Sequence, residues 1–457
     1  MAAVSLFLLG WAGIVWLVLG IKPVRVRAVL SWLLPVAGLA AMVCWGGQIG
    51  PGARLLFASA GLLYLLKGTV LLRQSRDAVA AYNRFGLMLY LTVWPGMDAA
   101  PFRIRQTLDV NDGTPFIRGA VCVALGVALG VGVALILPFV GATVAGFLGI
   151  AALLLTVHFG YAEALPWLVR WAGFAVGSLF ASPLQSTTLA DFWSRRWNRA
   201  FVEMNRLLFL KPLRKRLDAT GAVLGVFAVS GLLHEIAISY PAGRGWGGPF
   251  FYFMLHGALV TFEPRLGVKR WDKITRTLWV WGWLLLPLPL LFPAPFRAAC
   301  ILPLFQFLHK ALTAHSLDWW FSLALWLAGI GHFCILGASF QVPFRLGWKE
   351  DFAKLTRFNR KIFWTYGGFI VLCIVSFGIL TLVLHDELLR GDRAALGLAT
   401  FNGIFWITRL LTDFFYFKHD DWPKGPQFVV GHVLLTGLFC ALAAVYTGLV
   451  IYRGILG

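Results

Sequence analysis

The chain has 457 residues, 59% of them apolar and only 13% charged, with a mean hydropathy of +0.77. These values exclude a soluble globule and fix a polytopic membrane protein. The net charge of +20 does not point to nucleic acid, because the basic residues sit in short loops between apolar runs, as the positive-inside rule expects. Anionic lipid headgroups and phosphorylated cytosolic substrates are the partners that fit such loops.

The run from Ala2 to Ile21 is long enough to cross a bilayer and is followed by Lys22, Arg25 and Arg27. A signal peptide would carry its charge on the other side, so the N-terminus is expected outside and the loop after it in the cytoplasm. Further spans are expected at Ala28 to Trp45 and Leu55 to Leu72, where Lys67 lies near enough to the cytoplasmic end to snorkel. Between Ala80 and Pro101 the apolar pattern weakens and ends at Trp94-Pro-Gly-Met-Asp98, which fits a re-entrant or interfacial helix better than a span. Arg118 to Phe139 and Ala142 to Phe159 are clear spans, rich in small residues that let helices pack closely. The stretch from Glu163 to Leu179, with Pro166 and Arg170, is ambiguous, and either reading of it leaves the next segment cytoplasmic.

That segment, Arg195 to Arg216, interleaves arginines and lysines with Trp197, Phe201 and Phe209 and reads as an amphipathic interfacial stretch. It leads into an apolar run from Ala219 that carries Ser230-Gly-Leu-Leu-His234-Glu235. At the rise of an α-helix His234 lies about 22 Å along that run, past the bilayer midplane. An imidazole and a carboxylate are costly there, and ionisable groups inside spans face a cavity or a pathway. Ser230 shares the face of His234 and is within reach of it, whereas Glu235 points about 100° away and is expected to satisfy a backbone group or a charge. A glycine-rich loop, Ala242 to Gly248, is expected to form a tight, mobile turn at the outer face. The span after it, ending near Phe262, bears His256, which reads as a packing histidine with an accessory role as the alternative.

The order Phe192-Trp-Ser-Arg-Arg-Trp-Asn198, ahead of a span bearing Ser-Gly-x-x-His-Glu, resembles the wax synthase branch of the membrane-bound O-acyltransferase family. The diacylglycerol and sterol acyltransferase branch carries Phe-Tyr-x-Asp-Trp-Trp-Asn at this place. Here Phe192, Trp193, Trp197 and Asn198 match that pattern in type, while Arg195 and Arg196 replace the Asp-Trp pair, as in the wax synthase branch. Trp94 to Asp98 and Ser182-Pro-Leu-Gln-Ser-Thr-Thr188 are also similar to segments of that branch, so the resemblance covers roughly 62 to 265.

The resemblance implies an acyl-CoA-dependent enzyme in which His234 is the general base that takes the proton of a long-chain alcohol. It implies that Asn198 polarises the thioester carbonyl. Phe192, Trp193 and Trp197 would contact substrate, Ser230, Glu235 and His256 are further candidate substrate-binding residues, and Arg195, Arg196 and Arg199 would meet the phosphates of CoA. Acyl-CoA is the co-substrate, and no cofactor or metal is expected. A covalent Ser230-His234 dyad is the lesser mechanism. Diacylglycerol, a sterol-like alcohol or a lipid-linked sugar are alternative acceptors. A lipid carrier or flippase is the competing class, against which no inverted repeat is visible.

Beyond Phe262 a span is expected from Ile274 to Phe292, then four more at Trp319 to Gln341, Ile362 to Leu384, Leu396 to Phe417 and Phe428 to Tyr452. His332 and His432 lie within spans and read as buried, hydrogen-bonded histidines rather than as haem ligands. Asn402, Arg409 and Asp413 share one helical face, so an intrahelical Arg409 to Asp413 pair is expected. The six cysteines all lie in apolar runs without a Cys-x-x-Cys pair and read as small core residues. The expected fold is therefore all-α, a polytopic bundle of about 12 spans with re-entrant or interfacial helices. An acyltransferase core with an internal tunnel would occupy 1 to 315, and a four-helix transmembrane extension of unknown function 316 to 457. The expected location is a bacterial cytoplasmic membrane with both termini outside.

Overall fold

The computed structural model describes residues 10 to 455 except 12, 16, 19, 22, 75 to 80 and 418 to 422. Among these residues the chain is helical, with no strand. Among the described residues ten helices are long and apolar enough to cross a membrane, which makes this a multi-pass integral membrane protein. The expected span from Ala2 to Ile21 falls largely outside the described residues.

The chain divides into two compact units, Met1–Lys310 and Ala311–Gly457. In the first, α1 (Val24–Gly46) pairs with α2 (Pro51–Leu72), and the short α3 (Arg84–Thr92) follows. With nine residues α3 is far too short to cross, and Asn83 fixes its start by accepting from Gly86 N–H. Lys67 does not snorkel: its side chain is buried, donates to the carbonyls of Tyr90 and Trp94 and lies against the Tyr90 ring. A buried ammonium with two carbonyl partners ties down the C-terminal end of α3 and the Trp94 turn after it.

Helix α4 (Thr114–Ile136) packs along α5, a continuous helix over Ala142–Trp171. Their contact is made by small residues: a Cβ on Gly119 would lie 2.8 Å from the Gly160 carbonyl oxygen, and one on Gly126 2.3 Å from Thr156 Oγ1. The ambiguous stretch from Glu163 is thus no separate span. Helix α5 runs through Pro166, with a π-helical segment, Leu154–Tyr161, immediately before it, and irregular backbone takes over after Trp171. The interfacial α6 (Arg199–Asn205) precedes α7 (Ala219–His234), which Asp218 caps through Gly221 N–H. Helix α7 continues through another π segment, Glu235–Ser239.

Helix α8 (Gly248–Leu266) packs closely on α7, because Gly231 faces Phe250 and Gly257 faces Phe227. Although it has 19 residues, His256, Glu263 and Arg265 make it too polar to stand among the ten apolar helices. Helix α9 (Lys273–Leu285) starts at an Asp272 cap, and α10 (Leu302–Thr313) follows a kinked, proline-rich connection.

The second unit contains α11 (Leu317–Ser339), α12 (Arg357–Val383), α13 (Arg393–Leu411) and α14 (Pro426–Gly454) around a core of Leu325, Trp406, Leu442 and Tyr446. Here His332 has both ring nitrogens engaged, with Nδ1 donating to the Ala328 carbonyl at 2.7 Å and Nε2 accepting from Trp406 at 3.2 Å. Neither nitrogen is left to bind iron. The expected pair between Arg409 and Asp413 forms at 3.4 Å, and His432 lies 3.7 Å from the same carboxylate. All six cysteines are free thiols.

Candidate active site

The motif between Ser182 and Asn198 is held in place by bonds within the protein. Thr188 Oγ1 accepts from Asp191 N–H, and the two carboxylate oxygens of Glu263 on α8 accept from the N–H groups of Leu189 and Ala190 at 2.6 and 2.9 Å. A carboxylate on the first N–H groups of a helical turn satisfies donors that have no intrahelical partner. Arg276 adds bonds to the Thr187 carbonyl and hydroxyl. The chain then makes a π turn over Phe192–Arg196, so that Phe192 and Trp197 stack at 5.3 Å with 15° between their planes.

Asn198 follows in the left-handed region at φ 41°, one of two non-glycine residues there among those described. Its Oδ1 accepts from Phe201 N–H and so caps α6. That fixes the orientation of the amide and leaves its Nδ2–H₂ as the donor available to a ligand.

On α7, His234 turns towards a cavity of about 1220 Å³, which Asn198, Phe192, Trp193, Trp197 and Ser230 also line. Its Nδ1 lies 2.7 Å from the Ser230 carbonyl oxygen, which can only accept, so the proton is on Nδ1 and Nε2 of the neutral ring carries the lone pair. The Phe253 ring, 4.2 Å away between centroids, and Phe201, at 5.9 Å, hold the imidazole in place. The contact with Ser230 uses its backbone, which removes the Ser-His dyad. The Ser230 hydroxyl donates instead to the Val226 carbonyl at 2.9 Å and accepts from Asn205 Nδ2 at 3.4 Å.

Other expected site residues have different work. Glu235 is buried, and its Oε1 accepts from Gly247 and Phe250 N–H, both at 2.9 Å. It therefore anchors the loop to the start of α8 and is not a cavity residue. The same bonds, with that from Ser239 Oγ to the Gly245 carbonyl, pin the loop expected to be mobile. Three of its glycines, Gly243, Gly245 and Gly247, adopt the positive φ that the turn needs. His256 is fully buried behind the cavity wall, where its Nδ1 accepts from Trp193 Nε1 at 3.2 Å. It positions a cavity residue without lining the cavity.

The arginines divide in the same way. Arg196 is committed to Asp191 at 2.5 Å and to the carbonyls of Ala181 and Ser182, closing the motif on its own lead-in. Neither Arg195, which is exposed, nor Arg199 lines the cavity. Arg206, exposed at the end of α6, does line it.

Sequence reasoning missed Glu263, Asn205, Arg206 as a cavity residue, and His158 on α5. The signal for His158 was the one that exposed His234, an ionisable residue in an apolar helix, whereas Glu263 lies near the end of the more polar α8. No short motif surrounded them to raise it.

Residues 176–255 match the family model of the membrane bound O-acyl transferase family. A long-chain-alcohol O-fatty-acyltransferase of Simmondsia chinensis is 36% identical over 94 residues, 18% of this chain and 26% of the relative. A probable long-chain-alcohol O-fatty-acyltransferase 7 of Arabidopsis thaliana is 29% identical over 130 residues, 24% of this chain and 38% of the relative. An acyl-CoA–sterol O-acyltransferase 1 of Arabidopsis thaliana is 33% identical over 94 residues, 18% of this chain and 27% of the relative. These matches span between about a quarter and two fifths of the curated relatives, and Trp94 to Asp98 lies outside the family match. Asn198 and His234, two polar residues that the fold turns into one cavity, both lie within the segment that is similar to the membrane bound O-acyl transferase family.

Proposed function

We propose that the chain transfers a fatty acyl group from acyl-CoA to the hydroxyl of a long-chain alcohol. The observation that carries this reading is the fixed tautomer of His234, whose Nε2 lone pair is available in a large, mainly apolar cavity. An alcohol is a poor nucleophile until a base takes its proton. In the proposed reaction the hydroxyl proton passes to His234 Nε2 as the alcohol oxygen bonds to the thioester carbon. Negative charge develops on the carbonyl oxygen, where Asn198 Nδ2–H donates. Collapse of this adduct breaks the carbon–sulfur bond, and the departing thiolate takes the proton back from His234. No covalent enzyme intermediate and no further cofactor enter this route.

Burial of the long acyl chain and alcohol between Phe192, Trp193, Trp197, Phe201 and Phe253 supplies the apolar contact that both substrates need. Arg206 at the cavity, together with exposed Arg195, is assigned to the CoA phosphates. The sterol O-acyltransferase among the relatives favours a second acceptor class, a sterol-like alcohol. Anionic headgroups would bind the basic interfacial helix. From the basic loops of the sequence we infer a bacterial cytoplasmic membrane with both termini outside, so a reporter at the C-terminus should face outwards and one near Lys215 inwards.

Expression in a host that lacks neutral lipids, fed with long-chain alcohols or sterols in turn, should yield the corresponding esters by mass spectrometry of lipid extracts. Inserted, folded protein that makes no ester from any acceptor would overturn the reading.

A further inference from the structure

Five of the described histidines have Nδ1 in a hydrogen bond: His234 and His332 to carbonyls on their own helices, His309 to the Ala134 carbonyl, His385 to the Asp386 carboxylate, and His256 to Trp193. His158 differs. Its Nδ1 is sealed from solvent and has no hydrogen-bond partner among the described residues. A buried N–H left without an acceptor costs about 1–3 kcal/mol, so the ring proton sits on Nε2, the nitrogen that is not sealed and is left to meet the cavity.

His158 occupies the π-helical segment Leu154–Tyr161 of α5 and borders the main cavity. It also borders a second, smaller cavity of about 220 Å³. Asn198 and Phe201 border both cavities too, so the three residues stand at their junction. The His158 ring lies nearly parallel to Trp197, at 5.8 Å and 6°, and edge-on to Phe180. Trp197 immediately precedes Asn198, and the stack therefore fixes the imidazole beside the residue whose amide donor is free. Apart from His158 and Asn198, the residues that line the smaller cavity are apolar or aromatic.

We propose that His158 is a second hydrogen-bond donor to the acyl carbonyl oxygen, acting beside Asn198. This assignment rests on the acyl-transfer reading. A carbonyl oxygen that gains charge as the alcohol adds has two lone-pair directions, and Asn198 Nδ2 fills one of them. The neutral imidazole has its one N–H on Nε2 to fill the other, and an apolar surround makes such a donor effective without solvent competition. The electrons follow the course already given: the carbonyl π pair moves to oxygen on addition and returns as the carbon–sulfur bond breaks. His158 neither gains nor loses a proton.

The test uses the purified full-length protein and compares His158→Phe, which keeps the aromatic stack, with His158→Asn, which keeps a donor. Removing one donor of this kind typically costs 10²–10³ in kcat, so with Asn198 still present His158→Phe should lose roughly 10- to 100-fold in kcat at a nearly unchanged KM for acyl-CoA. His158→Asn should recover most of that loss. The double variant with Asn198→Ala should fall by less than the product of the two single losses, since both donors serve one oxygen.

A His158→Phe enzyme with wild-type kcat would overturn the assignment, as would folded Phe and Asn variants that are equally slow. If His158→Phe does not fold, His158→Ala is assayed with added imidazole: restored turnover supports the assignment and no recovery overturns it. Wild-type protein that makes no ester removes the acyl-transfer reading and this assignment together. An active wild type beside an equally active His158→Phe removes the assignment alone.

Discussion

At the scale of single residues, the structure separates groups that face the cavity from groups that hold its wall. His234→Ala should insert and fold yet lose about 10²- to 10⁴-fold in kcat, the usual contribution of a general base, with KM for acyl-CoA little changed. His256→Ala removes the bond to Trp193 and no cavity residue, so its loss should be smaller. Steady-state kinetics on both variants check this, and the reverse order would move the base to α8. The arginines yield a second contrast. Arg196→Ala should lower thermal stability, because a charge-assisted contact with Asp191 and two carbonyl bonds disappear from the motif hairpin. Arg206→Ala should instead raise KM for acyl-CoA, by about 10-fold or more for one phosphate contact. Melting curves alongside kinetics separate the two, and an Arg206→Ala enzyme with unchanged KM would remove it from the phosphate site. His234 was legible in the sequence because an imidazole deep in an apolar run announces its own cost, and Asn198 because a short motif surrounds it. Asn205, Glu263 and His158 were not. Whether a polar side chain on a helix faces a cavity or a neighbouring backbone depends on packing between segments far apart in the chain, as the bonds from Glu263 to Leu189 and Ala190 illustrate.

At the scale of elements, the spans followed from apolar length, while interruptions misled wherever the helix adapted around them. Pro166 reads as a break, yet α5 passes through it with a π segment just before it, and that segment carries His158. Another π segment begins at Glu235, directly after His234, and another holds Phe192–Arg196. Single-turn widening of this kind cannot be read from hydropathy, although it sets which residues turn inwards. The close contact of α7 with α8 was equally hidden, because glycines in apolar helices are common and only the fold reveals which ones meet a neighbour. Gly257 is such a case, since a Cβ there would lie 2.9 Å from Phe227 Cβ. Gly257→Val should force α8 away from α7 and disturb Phe253 against His234. The cost is about 1–3 kcal/mol of overpacking, visible as a lower Tm, with a parallel fall in activity. An unchanged Tm would show that the interface can relax without loss.

At the scale of the whole molecule, hydropathy made the membrane class and the helical fold readable, because lipid leaves a backbone few ways to satisfy its own hydrogen bonds. The division into two units was marked in the sequence only by where the recognisable motifs stop. The structure sets the boundary between Lys310 and Ala311. Every residue that lines the main cavity, from Leu55 to Phe296, belongs to the first unit, and so do His158, Asn198 and His234. The second unit has its own core around Trp406 and Tyr446 and its own buried polar contacts, including His332 with Trp406 and Thr381 with Tyr446. Two separately packed cores predict that chemistry and the second unit can be parted. A chain ending at Thr313, which keeps α10 whole, should insert, fold and retain ester formation measurable by mass spectrometry of lipid extracts. Its kcat should lie within about 10-fold of the full chain, because no donor, base or phosphate contact has been removed. If that shortened protein gave a cooperative melting curve but made no ester, the second unit would have to contribute to the reaction itself.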